Sequence, residues 1–206
     1  MLVIGLTGPS GAGKGEVSRL LQAQGAAIID ADEVYHALLV PPSPCLDALS
    51  EAFGAEILTP DGTLDRKRLA AIVFGEPDAE IRKEQIKRLN GITHGYVLAR
   101  ADEILADMEA RGVRAAILDA PALYESGGDK RCDLNVTVLS DRETRKRRIV
   151  LRDGLTEEEA EARINAQHPD SFYTERADTV LLNDTTPEEF RERVASFVEE
   201  TILPRL

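Results

Sequence analysis

The chain has 206 residues, enough for one domain with a sizeable core, and its 43% hydrophobic and 30% charged content is that of an ordinary globular protein. A formal net charge of -12 argues against a diffuse nucleic-acid surface, which needs a basic face to displace counterions. No apolar run approaches the ~18 residues of a membrane span, so neither nucleic acid nor membrane is an expected partner.

The opening apolar stretch, Met1 to Leu6, lacks a signal peptide's basic flank and runs into a glycine-rich loop. Leu2–Leu6 is therefore expected to be a buried strand, and the protein cytoplasmic. Gly8-Pro9-Ser10-Gly11-Ala12-Gly13-Lys14 fits Gly-x-x-x-x-Gly-Lys between that strand and a helix beginning at Lys14, the context a phosphate loop requires. Glycines let the backbone wrap around phosphate oxygens, the helix N-terminus directs partial positive charge inward, and Lys14 adds a mobile cation. Gly8, Ser10, Gly11, Ala12, Gly13, Lys14, Gly15 and Glu16 form the expected ATP-binding set. Gly15 stands where the motif usually has a Ser or Thr hydroxyl on Mg²⁺, and Glu16 follows, so the metal would rest on ATP, water and carboxylates.

A second strand, Ala26–Ile29, leads into Asp30-Ala31-Asp32. Acids at the C-terminal end of a parallel strand face the crevice where ligands bind, and one could orient and deprotonate an attacking hydroxyl. The alternative is helix capping by Asp30 or Asp32. A helix is expected to start at Asp32, and residues 36–90 hold several helical patterns, with further starts at Asp65 and Pro77 and no convincing strand. They are read as a helical insertion, punctuated by Pro41-Pro42-Ser43-Pro44 and by a turn at Pro60-Asp61-Gly62.

The third strand, Ala115–Leu118, ends on Asp119 in the manner of an acid that holds Mg²⁺. Substrate hydrogen bonding or a plain strand-end turn are the other readings. After the fourth strand, Leu134–Leu139, comes the one dense basic run, containing Arg142, Arg145, Lys146, Arg147, Arg148 and Arg152. Arg145, Arg148 and Arg152 share one face of a helix starting at Asp141, suited to phosphate charge or, alternatively, to solvated pairing with nearby acids. Thr156 opens a further helix with a capping-box pattern, the last strand is Thr179–Leu182, and Pro187 starts the last helix. Cys45 and Cys132 form no Cys-x-x-Cys pair and the histidines have no metal-ligand spacing.

A longer pattern runs through Ile4-Gly5-Leu6-Thr7-Gly8, Asp30-Ala31-Asp32, Phe53-Gly54, Asp61-Gly62-Thr63-Leu64-Asp65-Arg66, Ile72-Val73-Phe74 and Ile92-Thr93-His94. Leu118-Asp119-Ala120-Pro121-Ala122-Leu123-Tyr124-Glu125, Arg152-Asp153-Gly154-Leu155, Ala162-Arg163-Ile164 with Gln167, and Ala177-Asp178 continue it. In order and spacing these stretches resemble dephospho-CoA kinases. Departures are Pro9-Ser10 for Gly-Ile, Gly15 for a hydroxyl residue, His36 for arginine, Gly95 for proline and Ala122 for leucine.

The resemblance implies a single α/β P-loop kinase domain over residues 1–206. It would have a five-stranded parallel sheet in order 2-3-1-4-5, a helical CoA-substrate insertion at 36–90 and a lid at 141–168. It further implies dephospho-CoA and ATP as substrates. Asp32 would be the catalytic base, Lys14 and Arg148 would act on the transferring phosphate, and Arg152 would assist ATP. Asp30, His94 and Asp119 would meet the acceptor, with Asp119 also on Mg²⁺. The competing readings are another small-molecule or nucleoside monophosphate kinase, favoured by Lys14-Gly15, and a non-catalytic nucleotide-binding relative, favoured by Gly15 and His36.

Overall fold

A computed structural model describes residues 1–206. The chain divides into two compact units, Met1–Ile29 with Leu105–Leu206, and Asp30–Ile104.

The sheet contains β1 (Leu2–Thr7), β2 (Ala27–Asp30), β3 (Ala115–Asp119), β4 (Leu134–Leu139) and β5 (Thr179–Leu182), in the order β2-β3-β1-β4-β5. β1 pairs in parallel with β3 and β4, and β4 with β5. Every residue of β1 is buried, which is why its sequence is a continuous apolar run rather than an alternation: a central parallel strand is covered on both faces. Opposite Leu6 lies Asp119, so the loop leaving β1 and the acid ending β3 emerge at the same edge of the sheet.

The core of this unit joins Ile4, Leu6, Ile117, Val136 and Val138 of the sheet to Val17 and Leu21 of α1 (Lys14–Ala23). Phe190 and Val194, from a helix late in the chain, complete it. Each such side chain contributes about 1.5–3 kcal/mol by leaving water.

The second unit begins with α2 (Ala31–Ala37), α3 (Pro44–Phe53) and α4 (Arg66–Phe74), followed by α5 (Ala79–Ala110), whose residues up to Ile104 belong to it. Its own core is Leu39, Cys45, Leu49, Phe53, Ile57, Leu69 and Val73, with Ile86, Leu89, Ile92 and Tyr96 of α5 packed against it. Gly91 and Gly95 do not interrupt α5, which continues as one helix of 32 residues. The proline run also does more than punctuate: Ser43 caps α3 by accepting the Leu46 N–H at 3.1 Å, and Pro44 takes the first helical turn, where its missing N–H is no loss. Pro60-Asp61-Gly62 turns between Leu58 and Leu64, which form an isolated antiparallel bridge.

After β3 come α6 (Leu123–Ser126), α7 (Arg142–Asp153), α8 (Glu157–Asn165), α9 (Asp170–Thr174) and α10 (Pro187–Phe197). α7 and α8 pack through Ile149, Ala160 and Ile164, a small core separate from that of the sheet. Several expected helix starts prove to be N-caps standing just outside the helix. Asp65 accepts from the Arg68 N–H at 2.9 Å, Asp141 from the Thr144 N–H at 2.9 Å, and Thr156 and Glu159 complete a capping box. No helix is long and apolar enough to cross a membrane. Cys45 and Cys132 are free thiols.

Candidate active site

The phosphate loop leaves β1 and ends at Gly13, the residue before α1. Gly13 has φ +104°, and a Cβ there would lie 2.2 Å from Asn183 Nδ2, so both backbone and neighbour demand glycine. Gly15, two residues on, is different in kind. It lies inside α1 with no positive φ, and nothing stands within 4 Å of where its Cβ would be. Its lack of a side chain answers to no steric requirement in this loop.

Lys14 opens α1 and its ammonium meets Asp119 Oδ1 at 2.5 Å, with the two side chains only 20% and 12% exposed. Ser18, one helical turn after Lys14 and therefore on the same face, donates its hydroxyl to Asp119 Oδ2 at 2.8 Å. Both carboxylate oxygens are thus oriented by α1, and Thr7 ties the end of β1 to the segment after β3 by donating to Pro121 C=O at 3.1 Å. The sequence pointed to Lys14 and Asp119. It did not single out Ser18, although its i+4 spacing from Lys14 was the available signal.

The arginine face of α7 meets the outside of the phosphate loop. Arg145 Nε donates to Ser10 C=O at 3.0 Å. Arg148 Nη1 donates to the carbonyls of Gly11 and Ala12 at 3.2 and 3.3 Å and to Ser140 Oγ at 3.2 Å, while its Nη2 reaches Asn183 O and Oδ1, both at 3.2 Å. Burial pushes both guanidinium groups below their ordinary pKa. Arg152 is the more exposed member: it reaches Ser10 Oγ at 3.4 Å and forks onto Asp153 at 2.7 and 2.9 Å. That hydrogen bond holds Arg152 above its usual pKa and Asp153 down at about 2. Shared placement on one face was legible in the spacing; the carbonyl partners were not.

Asn183, the residue after β5, was also missed. It is buried and donates from Nδ2 to Ala12 C=O at 2.8 Å. A polar residue directly after the last apolar strand, in line with Gly8 after β1 and Asp119 closing β3, was the signal.

Of the remaining expected residues, Glu16 turns its carboxylate to Arg19 and to Arg191 Nε, the latter at 3.3 Å. Asp30 takes the capping role. Its Oδ1 accepts the N–H groups of Asp32 and Glu33 at 2.8 and 3.1 Å, so it caps the first turn of α2. Asp32, on that turn, presents an exposed side chain, and His94 is half-buried on α5. Asp32 and His94 belong to the unit Asp30–Ile104, while the loop, Asp119 and the arginines belong to the other.

Residues 2–189 match the family model described as dephospho-CoA kinase. The chain is 41% identical over 202 residues to the dephospho-CoA kinase of Corynebacterium glutamicum, covering 98% of each chain. It is 40% identical over 194 residues to that of Geobacter sulfurreducens, covering 94% of this chain and 95% of the relative. A crystal structure from Thermus thermophilus shares its fold with a TM-score of 0.79 at 31% identity, over 98% of this chain and 97% of the other.

Proposed function

Because the chain belongs to the dephospho-CoA kinase family, we propose that it transfers the γ-phosphoryl group of ATP to the ribose 3′-hydroxyl of dephospho-CoA in the cytoplasm, releasing CoA and ADP. Phosphoryl transfer asks little covalent chemistry of a protein; positioning and charge stabilisation supply most of the rate. The phosphate loop provides both, through N–H groups aimed at the phosphates and through Lys14, whose ammonium exchanges Asp119 for phosphate oxygens when ATP binds. Asp32 orients the 3′-hydroxyl and accepts its proton, with His94 contacting the acceptor. Arg152, the exposed member of the arginine face of α7, is free to leave Asp153 and reach the transferring group. Arg148 acts one step removed, through the loop carbonyls it holds.

The oxygens around Asp119 suit a magnesium ion. Magnesium prefers hard oxygen ligands, keeps several waters and needs only one or two carboxylates, and Asp119 with the Ser18 hydroxyl beside it provides such a donor set. When bound, the ion neutralises charge on the ATP phosphates. Ser18 and Lys14 fix the carboxylate that would hold it.

The observation that carries this reading is the Lys14–Asp119–Ser18 set at the foot of a glycine loop, in a chain that the family model matches from residue 2 to 189. The test is ADP release from MgATP with dephospho-CoA, CMP, AMP or no acceptor. Turnover that depends on dephospho-CoA is expected. Turnover on CMP or AMP instead, or the same release without acceptor, would overturn the assignment.

A further inference from the structure

Ser10 is gripped on both sides. Its N–H donates to Gln167 Oε1 at 3.2 Å, and its C=O accepts from Arg145 Nε at 3.0 Å. The two gripping side chains are themselves joined, since Arg145 Nη2 donates to the same Gln167 Oε1 at 2.6 Å. Ser10, Arg145 and Gln167 therefore close a ring that ties the crown of the phosphate loop to α7 and to the segment just after α8.

The electrostatics of this ring are unusual for a structural contact. Arg145 is 5% exposed, yet its carboxylate partner Asp170 is 3.9 Å away and largely in solvent. Its close acceptors are the neutral oxygens of Ser10 and Gln167. A buried guanidinium held by neutral acceptors keeps its charge available to whatever lies beyond them. Beyond Ser10 C=O is the Gly11 N–H, the other end of the same peptide. A cation on the carbonyl polarises that peptide and strengthens its N–H as a donor to an anion. Gln167 fixes the direction of the effect: by accepting from both Ser10 N–H and Arg145 it holds the residue and the guanidinium in register.

We propose that Arg145 and Gln167 are positioning residues for the ATP phosphates, Gln167 acting as the acceptor that locks Arg145 onto the Ser10–Gly11 peptide. The inference rests on the ATP-dependent activity proposed above, and deepens it by assigning nucleotide affinity to a contact behind the loop. Neither side chain need touch ATP.

Gln167 is the residue to test, because it is half-buried and its replacement leaves the core intact. Gln167→Ala removes the shared acceptor; Gln167→Glu keeps an acceptor for both donors but makes it an anion that neutralises Arg145. Two readouts are needed. The first is direct binding of ATP with magnesium and no acceptor, which does not depend on what the acceptor is. The second is the separate KM values for ATP and dephospho-CoA. Gln167→Ala is expected to weaken ATP binding and raise the ATP KM by about five- to tenfold, the equivalent of one lost hydrogen bond, with an unchanged KM for dephospho-CoA. Gln167→Glu is expected to weaken ATP binding at least as much as Gln167→Ala, because its carboxylate cancels the charge that Arg145 lends to the Ser10–Gly11 peptide. Unchanged ATP binding in Gln167→Ala, an equal rise in both KM values, or parental ATP binding in Gln167→Glu would overturn the clasp. Loss of dephospho-CoA turnover in the parent with ATP binding intact would instead count against the assigned reaction alone.

Discussion

Two glycines two residues apart make opposite demands. At Gly13 a side chain meets a left-handed backbone and the amide of Asn183, so Gly13→Ala is expected to lose at least ~1 kcal/mol to backbone strain alone and to displace Asn183 from Ala12. At Gly15 a side chain meets open space on an ordinary helix. Gly15→Ala should therefore raise Tm by ~1–3 °C, as expected for glycine replaced in a helix of a domain this size. Thermal melts of the two variants side by side check both signs. Gly15→Ser fits equally well and adds a hydroxyl where phosphate loops usually carry one. A magnesium titration at fixed ATP should show half-maximal activity at lower magnesium than in the parent. Lys14→Ala, by contrast, removes the cation itself. It should reduce turnover by ~10²–10³ at saturating substrates while circular dichroism shows the helices retained. Parental turnover in the Lys14→Ala variant would mean that the ammonium serves only to pair with Asp119.

Elements α7 and α8 show how a helix pattern becomes a site. The i, i+3, i+7 spacing puts Arg145, Arg148 and Arg152 on one face whatever else the chain does, because it follows from 3.6 residues per turn. Gly154 closes the helix in the left-handed region, and Asp153 then accepts from Arg152 and also from Arg163 of α8, clasping the two helices. The bidentate Arg152 bond is the main reason Asp153 titrates at about 2, below the ordinary 3.8. The sign follows directly. A carboxylate whose folded pKa is depressed stabilises the fold fully above its unfolded value, and that contribution is lost as pH falls from about 3.8 through about 2. Carbon-detected NMR titration of Asp153 should give a midpoint near 2 in the parent and one returning toward the ordinary carboxylate range in Arg152→Ala. An unmoved midpoint would show that Arg152 does not hold Asp153 in solution.

At the scale of the whole molecule the residues proposed for the chemistry are divided between two units, each with its own core. Those proposed to meet ATP lie in one and Asp32, the proposed base, in the other. Asp32→Asn should accordingly depress turnover by ~10²–10⁴, the usual worth of a general base, while leaving the ATP Kd within about twofold. Isothermal titration with ATP beside steady-state assays separates the terms, and a weakened ATP Kd with preserved turnover would move Asp32 to the nucleotide side. The sequence alone determined the parallel sheet, its strands to within a residue, the phosphate loop with Lys14, Asp119 at a strand end, and the shared face of the α7 arginines. All of these follow from local periodicity, apolar runs and glycine spacing, which are properties of neighbours in the chain. Tertiary structure decided that Ser18 orients Asp119, that Asn183 and Arg148 hold the loop carbonyls, that Asp30 caps α2, and that Gln167 grips Ser10. Apart from Asp30, whose two readings the sequence left open, these contacts join residues 101 to 171 positions apart, and no local pattern encodes which side chain a folded chain will bring to a distant backbone oxygen.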